Sequence, residues 1–139
     1  MKLFVDASAW IGIFDSHDKY HSVASQSIQR IRHDADLITS DYILDEALTF
    51  ILNRAGKQIA VQCGQWAISA HFVEILRVDE TVWQDAWDMF QSYGDKEWAF
   101  TDCTSFVLMR HHNLHRAFTF DHHFEQAGFQ LWPGMDVQS

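Results

Sequence analysis

The chain is predicted to fold as a three-layer α/β/α sandwich, with helices on both faces of a central parallel sheet of four to five strands. Three observations predict it. Short apolar runs alternate along the chain with longer segments of helical periodicity. The first of these runs, Leu3-Phe4-Val5, is continuously apolar, the pattern of a strand buried on both faces. No hairpin-type turn dipeptide joins one run to the next, so helices connect the strands and the strands lie parallel.

In order, the first strand begins at Lys2 and stops on a carboxylate, Asp6. Ser8 is expected to cap a short helix through Phe14, with Trp10, Ile11 and Phe14 on one face. A polar stretch over residues 15–19 precedes a helix over 20–33 that turns Val23, Ile28 and Ile31 inward, and residues 37–39 form the second strand. The clearest helix covers residues 41–54. There Ile43, Leu44, Ala47, Leu48, Ile51 and Leu52 fall at i, i+3, i+4 spacing, Asp41 or Ser40 stands at the N-cap, and Gly56 closes the far end. Glu46 lies on the border of that stripe, where the helix meets the sheet edge.

A further helix is expected over residues 57–71, interrupted by Gly64 at some cost in propensity, and a third strand over 73–78. Asp79 caps a helix carrying Val82, Trp83, Ala86, Trp87 and Phe90 on one face and ending at Gly94. Thr101-Asp102 opens a helix that is apolar nearly all round through Met109, and is therefore buried. The fourth strand, residues 117–120, runs into an acid, Asp121. A turn of helix ending at Gly128 leads to the last strand, residues 129–132, stopped by Pro133.

A chain of 139 residues with 47% hydrophobic content is large enough for one domain, residues 1–139, with its own core. No apolar run reaches membrane-span length and no leader-like segment opens the chain, so a cytoplasmic protein without a membrane partner is expected. Cys63 and Cys103 fit that setting as reduced, buried thiols. The net charge of −9 argues against gripping nucleic acid by bulk electrostatics, and setting four acids aside for a metal site still leaves −5. Any handling of RNA or DNA must then go through a metal ion and a few local bases, with modest salt dependence.

Four acids share a structural logic. Asp6 and Asp121 end parallel strands, so both face the carboxyl edge of the sheet, where ligands of open α/β sheets bind. Asp102 stands at a helix N-terminus, which in a strand–helix unit points to the same edge, and Glu46 borders its helix. Two unit charges about 4 Å apart repel by roughly 4 kcal/mol at an effective dielectric near 20. A hard divalent cation reconciles such a group, and Mg²⁺ or Mn²⁺ suits carboxylate oxygens. The chemistry this implies is hydrolysis of a phosphate ester. Taken one at a time the acids have plainer readings, Asp102 as a helix cap above all; the set carries the inference.

The blocks Val5-Asp6-Ala7-Ser8-Ala9-Trp10, Asp45-Glu46, Thr101-Asp102-Cys103-Thr104-Ser105-Phe106 and Thr119-Phe120-Asp121-His122-His123-Phe124 together resemble the PIN domain. More narrowly they look like VapC-type toxins, the ribonuclease half of toxin–antitoxin pairs. The resemblance covers nearly the whole chain in order and spacing. It implies a Mg²⁺-dependent endoribonuclease, with Mn²⁺ a possible substitute, in which Asp6, Glu46, Asp102 and Asp121 are both catalytic and metal-binding. Ser8 would support the site by hydrogen bonding. It further implies an RNA substrate, a homodimer and a cognate antitoxin whose C-terminal segment enters the site. The sequence departs from the pattern at Ala99, where many relatives carry serine, which bears on one contact behind the metal site.

Other readings weigh less. His111 and His115 have the spacing of a helical Zn²⁺ pair, but with Asn113 and Leu114 between them the stretch reads as a helix end. His122 and His123 stand beside Asp121, within reach of a substrate phosphate, although a solvent-facing turn accounts for them. A haloacid-dehalogenase-type phosphatase needs a second aspartate two positions after Asp6, where Ser8 stands. Arg54, Lys57 and Lys96 are the cations expected to meet RNA phosphates, and Trp10 and Trp98 lie near acids where a base could stack, with core packing the plainer role of Trp10. The rival from another class is a catalytically inactive PIN-like module that binds RNA or a protein partner.

Overall fold

The computed structural model describes residues 1–134. Its elements are β1 (Lys2–Val5), α1 (Ala7–Phe14), α2 (His21–Ile31), β2 (Asp36–Ser40), α3 (Asp41–Ala55), α4 (Lys57–Ser69), β3 (Val73–Leu76), α5 (Glu80–Ser92), α6 (Phe100–His111), β4 (Arg116–Phe118), α7 (His123–Gln126) and β5 (Gln130–Trp132). The five strands form one sheet in the order β3-β2-β1-β4-β5, and every pairing is parallel. With the right-handed crossovers that parallel sheets take, this order puts α1–α4 on one face and α5–α7 on the other, giving the α/β/α sandwich.

The order of strands matters for function. From β1 the chain moves outward through β2 and β3, then returns to the other side of β1 for β4 and β5. The crevice between the carboxyl ends of β1 and β4 is thus the topological switch point, the place where open α/β sheets bind ligands. Leu3, Phe4 and Val5 of β1 are fully buried, as a central strand covered on both faces must be. Trp10, Phe106, Phe118 and Phe124 join them in the core, and burying one phenylalanine side chain stabilises the fold by roughly 1.5–3 kcal/mol.

The α3 helix starts as its sequence suggests, with Ser40 as N-cap accepting the Ile43 amide at 3.0 Å, while Asp41 accepts the Val78 amide at 3.0 Å and ties the helix to the end of β3. Gly56 ends it at φ 97°, a backbone conformation that costs a residue with a side chain steric strain. Asp79 caps α5 by accepting the Val82 amide. Residues Asp102 to Met109 of α6 are all buried, in keeping with its unbroken apolar pattern.

Several local expectations need correction. Asp6, not Ser8, occupies the N-cap of α1; the Ser8 hydroxyl turns back to the Asp6 carboxylate instead. The β4 strand ends at Phe118, three residues before Asp121; the Thr119 amide still bonds the Trp132 carbonyl of β5 at 3.3 Å before the chain turns to bring that acid round. On α2 the buried positions are Ala24, Ser27, Ile28 and Ile31, with Val23 only partly covered. Leu52 of α3 is exposed, since α4 packs against only part of the stripe. On α5, Val82 and Ala86 are buried, but Trp83, Trp87 and Phe90 are exposed and pack around the half-buried Phe100. Cys63 and Cys103 are free and buried as expected, with burial pushing their thiols up to about 12 and about 11.

Candidate active site

Asp6 leaves β1 with its backbone amide still bonded to the Phe118 carbonyl of β4 at 3.0 Å, so its position is set by the sheet itself. Its side chain is 4% exposed. The Ser8 and Thr119 hydroxyls both donate to the same oxygen, Asp6 Oδ2, at 2.8 and 2.9 Å. Each hydroxyl also accepts a backbone amide, from Phe120 and from Asp121 respectively, both at 3.0 Å. The segment after β4 is thereby laced to the end of β1. Burial, then the charge of Asp102, pushes the Asp6 carboxyl up to about 6; the two hydroxyl bonds oppose this and lose.

Asp102 is 8% exposed in the first turn of α6, where its Oδ2 reaches back to the Ala99 amide at 3.0 Å. Alanine at that N-cap has no side chain to accept an amide in return, so the carboxylate supplies the one side-chain bond of the cap. The same Asp102 oxygen lies 3.0 Å from His123 Nδ1, which also lies 3.4 Å from Asp121 Oδ1. Ligand atoms of Asp102, Asp121 and His123 fall within 4.8 Å of one another. Burial raises the Asp102 carboxyl above its ordinary value despite the bond from His123.

Asp6 and Glu46 stand outside that tight triad but belong to the same electrostatic neighbourhood. The Glu46 carboxyl is pushed up to about 7, by loss of solvent first and then by the charges of Asp6, Asp102 and Asp121. Glu46 as a residue is exposed, and the like charges of its neighbours add to the rise. Among the described residues, no lysine or arginine lies within 4 Å of any of these four acids. An unneutralised set of oxygen donors, two of them buried, is what a hard divalent cation fits.

A family model for the PIN domain matches residues 3–130. The chain belongs to the PIN domain family. Over 127 residues it is 29% identical to the "23S rRNA-specific endonuclease VapC20" of two Mycobacterium tuberculosis strains, covering 91% of this chain and 95% of the relative. The crystal structure of M. tuberculosis VapC20, described as a sarcin–ricin-loop-cleaving toxin, superposes with a TM-score of 0.82 at 29% identity over the same shares of the two chains. FitAcB from Neisseria gonorrhoeae superposes with a TM-score of 0.60 at 15% identity, covering 94% of this chain and 96% of the other, which is a likeness of fold.

The cations expected to meet substrate lie in different places around this PIN domain. Arg54 stacks its guanidinium 5.2 Å over the Phe50 ring, and Phe50 lines an open groove of about 400 Å³ with Asp45, Glu46, Asn53 and Thr101. Lys57 lines a separate groove between α3 and α4, beside Leu48, Leu52 and Ile68, with none of the four acids in its walls. Lys96 lies 3.6 Å from Asp95. Trp98 is 6% exposed, and its indole donates to Gln126, so it is closed to base stacking; Trp10 is fully buried and donates to Thr39.

Two further residues, Thr119 and His123, bond the acids of this PIN domain. Thr119 carried no signal beyond its place in the last block. The sequence sets His122 and His123 beside Asp121, within reach of a substrate phosphate or in a solvent-facing turn; His122 is exposed, and His123 turns in to Asp102. The signal available was the apolar Phe124 that follows, which buries one side of the turn and fixes the other toward the acids. His111 instead approaches Asp85 at 3.4 Å at the end of α6, as a helix end suits.

Proposed function

We propose that this PIN domain, taken as a single unit over residues 1–139, is a divalent-metal-dependent endoribonuclease acting as the toxin of a toxin–antitoxin pair. One observation supports this most directly: the buried Asp6 and Asp102, the half-buried Asp121 and the carboxyl of the exposed Glu46 share one electrostatic neighbourhood by the β1/β4 switch point, with no lysine or arginine to neutralise them among the described residues. The relationship to a 23S rRNA endonuclease over nine-tenths of the chain supports RNA as the substrate class. Residues 135–139 lie outside the described residues and play no part in the reading.

On this reading Asp6, Glu46, Asp102 and Asp121 hold the cation, Mg²⁺ first and Mn²⁺ as a substitute. When bound, it supplies Lewis-acid polarisation of a phosphate oxygen and lowers the pKa of a coordinated water. The chain's own residues do the rest. Ser8 and Thr119 keep Asp6 in one rotamer, and the Ala99 amide anchors Asp102. Arg54, Lys57 and Lys96 contact RNA phosphates, and with a net charge of −9 those contacts are few, so affinity falls gently with salt. The protein acts in the cytoplasm as a homodimer and is silenced by a cognate antitoxin; no helix among the described residues is long and apolar enough to cross a membrane.

The test is cleavage of purified ribosomal RNA and of a single-stranded RNA with Mg²⁺, with Mn²⁺ and with chelator. Metal-dependent internal cuts, lost in Asp6→Asn, support the reading. A metal-independent or absent activity in well-folded protein favours an inactive module instead.

A further inference from the structure

His123 holds a position that neither the capping of α7 nor the packing of the core demands. Its ring is 29% exposed, yet Nδ1 sits 3.0 Å from Asp102 Oδ2 and 3.4 Å from Asp121 Oδ1. Both facing atoms are carboxylate oxygens, which only accept, so Nδ1 carries the proton and donates. The backbone of the same residue donates to Asp121 Oδ1 at 2.9 Å. Asp102 Oδ2 already accepts the Ala99 amide. One oxygen of each acid is therefore engaged by His123, and Asp102 Oδ1 and Asp121 Oδ2 are left unengaged by the imidazole.

The placement is built in rather than incidental. Phe124, the next residue, is fully buried, with its ring 5.0 Å from Phe106 of α6 and 6.4 Å from Phe4 of β1. Phe106 lies one helical turn after Asp102. At the other end of α7, Gln126 accepts the Trp98 indole at 2.9 Å, just before α6 begins. The short helix that carries His123 is thus pinned at one end to α6, which carries Asp102, and at the other to the segment leading into it. A side chain held this way keeps its rotamer at little entropic cost, which is what orienting a ligand requires.

We propose that His123 is a positioning residue of the metal site: its Nδ1–H bonds Asp102 while its ring lies against Asp121, whose Oδ1 accepts the His123 backbone amide, so that one residue fixes which oxygen each acid presents and raises the affinity for a divalent cation. The inference rests on the proposed metal-dependent reading of the same acids. It deepens that reading by giving two carboxylates on separate elements a common orienting donor. His123 acts through them rather than as a ligand.

The experiment titrates Mn²⁺ alone into the full chain, following the free-ion signal by electron paramagnetic resonance, for wild type, His123→Asn, His123→Gln and His123→Ala. Circular dichroism checks that each variant is folded. An asparagine amide nitrogen sits near the place of Nδ1, whereas a glutamine amide reaches toward the place of Nε2. Wild type and His123→Asn are expected to agree within about threefold, and His123→Ala and His123→Gln to bind about tenfold or more weakly. Equal affinity in all four folded proteins overturns the proposal, as does imidazole ¹⁴N coupling to bound Mn²⁺ in the wild-type spin-echo spectrum, which would make His123 a direct ligand. Should His123→Ala not fold, the asparagine–glutamine comparison decides alone. Wild type that binds Mn²⁺ but leaves RNA intact refutes the nuclease and leaves His123 standing. Cleavage with unchanged Mn²⁺ affinity in the variants does the reverse, and wild type that binds no Mn²⁺ overturns both.

Discussion

Thr119 Oγ1 donates to Asp6 Oδ2 at 2.9 Å across 113 positions of sequence, and it accepts the Asp121 amide at 3.0 Å. One hydroxyl thus joins the end of the central strand to the turn that delivers a second acid. Thr119→Val keeps the shape and removes these two bonds along with the 3.2 Å contact to the Ser8 hydroxyl, leaving the half-buried Asp121 amide and the buried Asp6 carboxylate each one partner short. A loss of about 1–3 kcal/mol in urea denaturation is expected, together with weaker RNA cleavage. An unchanged midpoint would show that the link is geometrically present but energetically idle.

Asp6→Asn should lower RNA cleavage on the order of a thousandfold while the far-ultraviolet circular dichroism stays native. It removes one buried negative charge and keeps the carboxamide oxygen for the Ser8 and Thr119 hydroxyls. The metal-free variant should therefore melt at or above the wild-type temperature at neutral pH. A folded, fully active Asp6→Asn protein would sink the site assignment.

Metal-free stability should fall as pH rises from about 4 to 7. Asp6 titrates near 3.8 when unfolded and at about 6 when folded, so the native state holds more protons in between. The stability this gives is fully present below 3.8 and is lost by about pH 6, on the order of 3 kcal/mol for this buried group. Glu46, raised from 4.5 to about 7, extends the same slope upward. Urea midpoints in chelator across this range are the measurement. With Mn²⁺ present the slope should flatten or reverse, because the ion favours the deprotonated acids.

Saturating Mg²⁺ or Mn²⁺ should raise the melting temperature of the wild type, by an amount corresponding to about 2.7 kcal/mol at a hundred times the dissociation constant. A Glu46→Gln, Asp102→Asn double variant should show much less of this shift in differential scanning fluorimetry. Equal shifts would place the bound ion elsewhere on the protein.

Ala99→Ser should stabilise the protein by about 1 kcal/mol, because α6 now starts on an N-cap with no side-chain acceptor. The readout is the urea midpoint at constant slope. No gain would mean that the Asp102 carboxylate already satisfies the first turn by itself.

The sequence alone determined the layered α/β fold, the parallel sense of its strands, and the place of Asp6 at the end of the central strand. These follow from periodicity and strand ends, which are local: an apolar run that stops on an acid says where that acid lies in any parallel sheet. The same locality explains the misses. Trp83, Trp87 and Phe90 share a helical face with Val82 and Ala86, but only the packing of α6 decides how much of that face is covered. Whether Ser8 caps a helix or turns back to Asp6, and whether His123 faces water or turns in to Asp102, depends on what arrives from more than a hundred residues or from a different helix. Side-chain partners across β1, β4, α6 and α7 are set by tertiary packing, and no spacing along the chain encodes them.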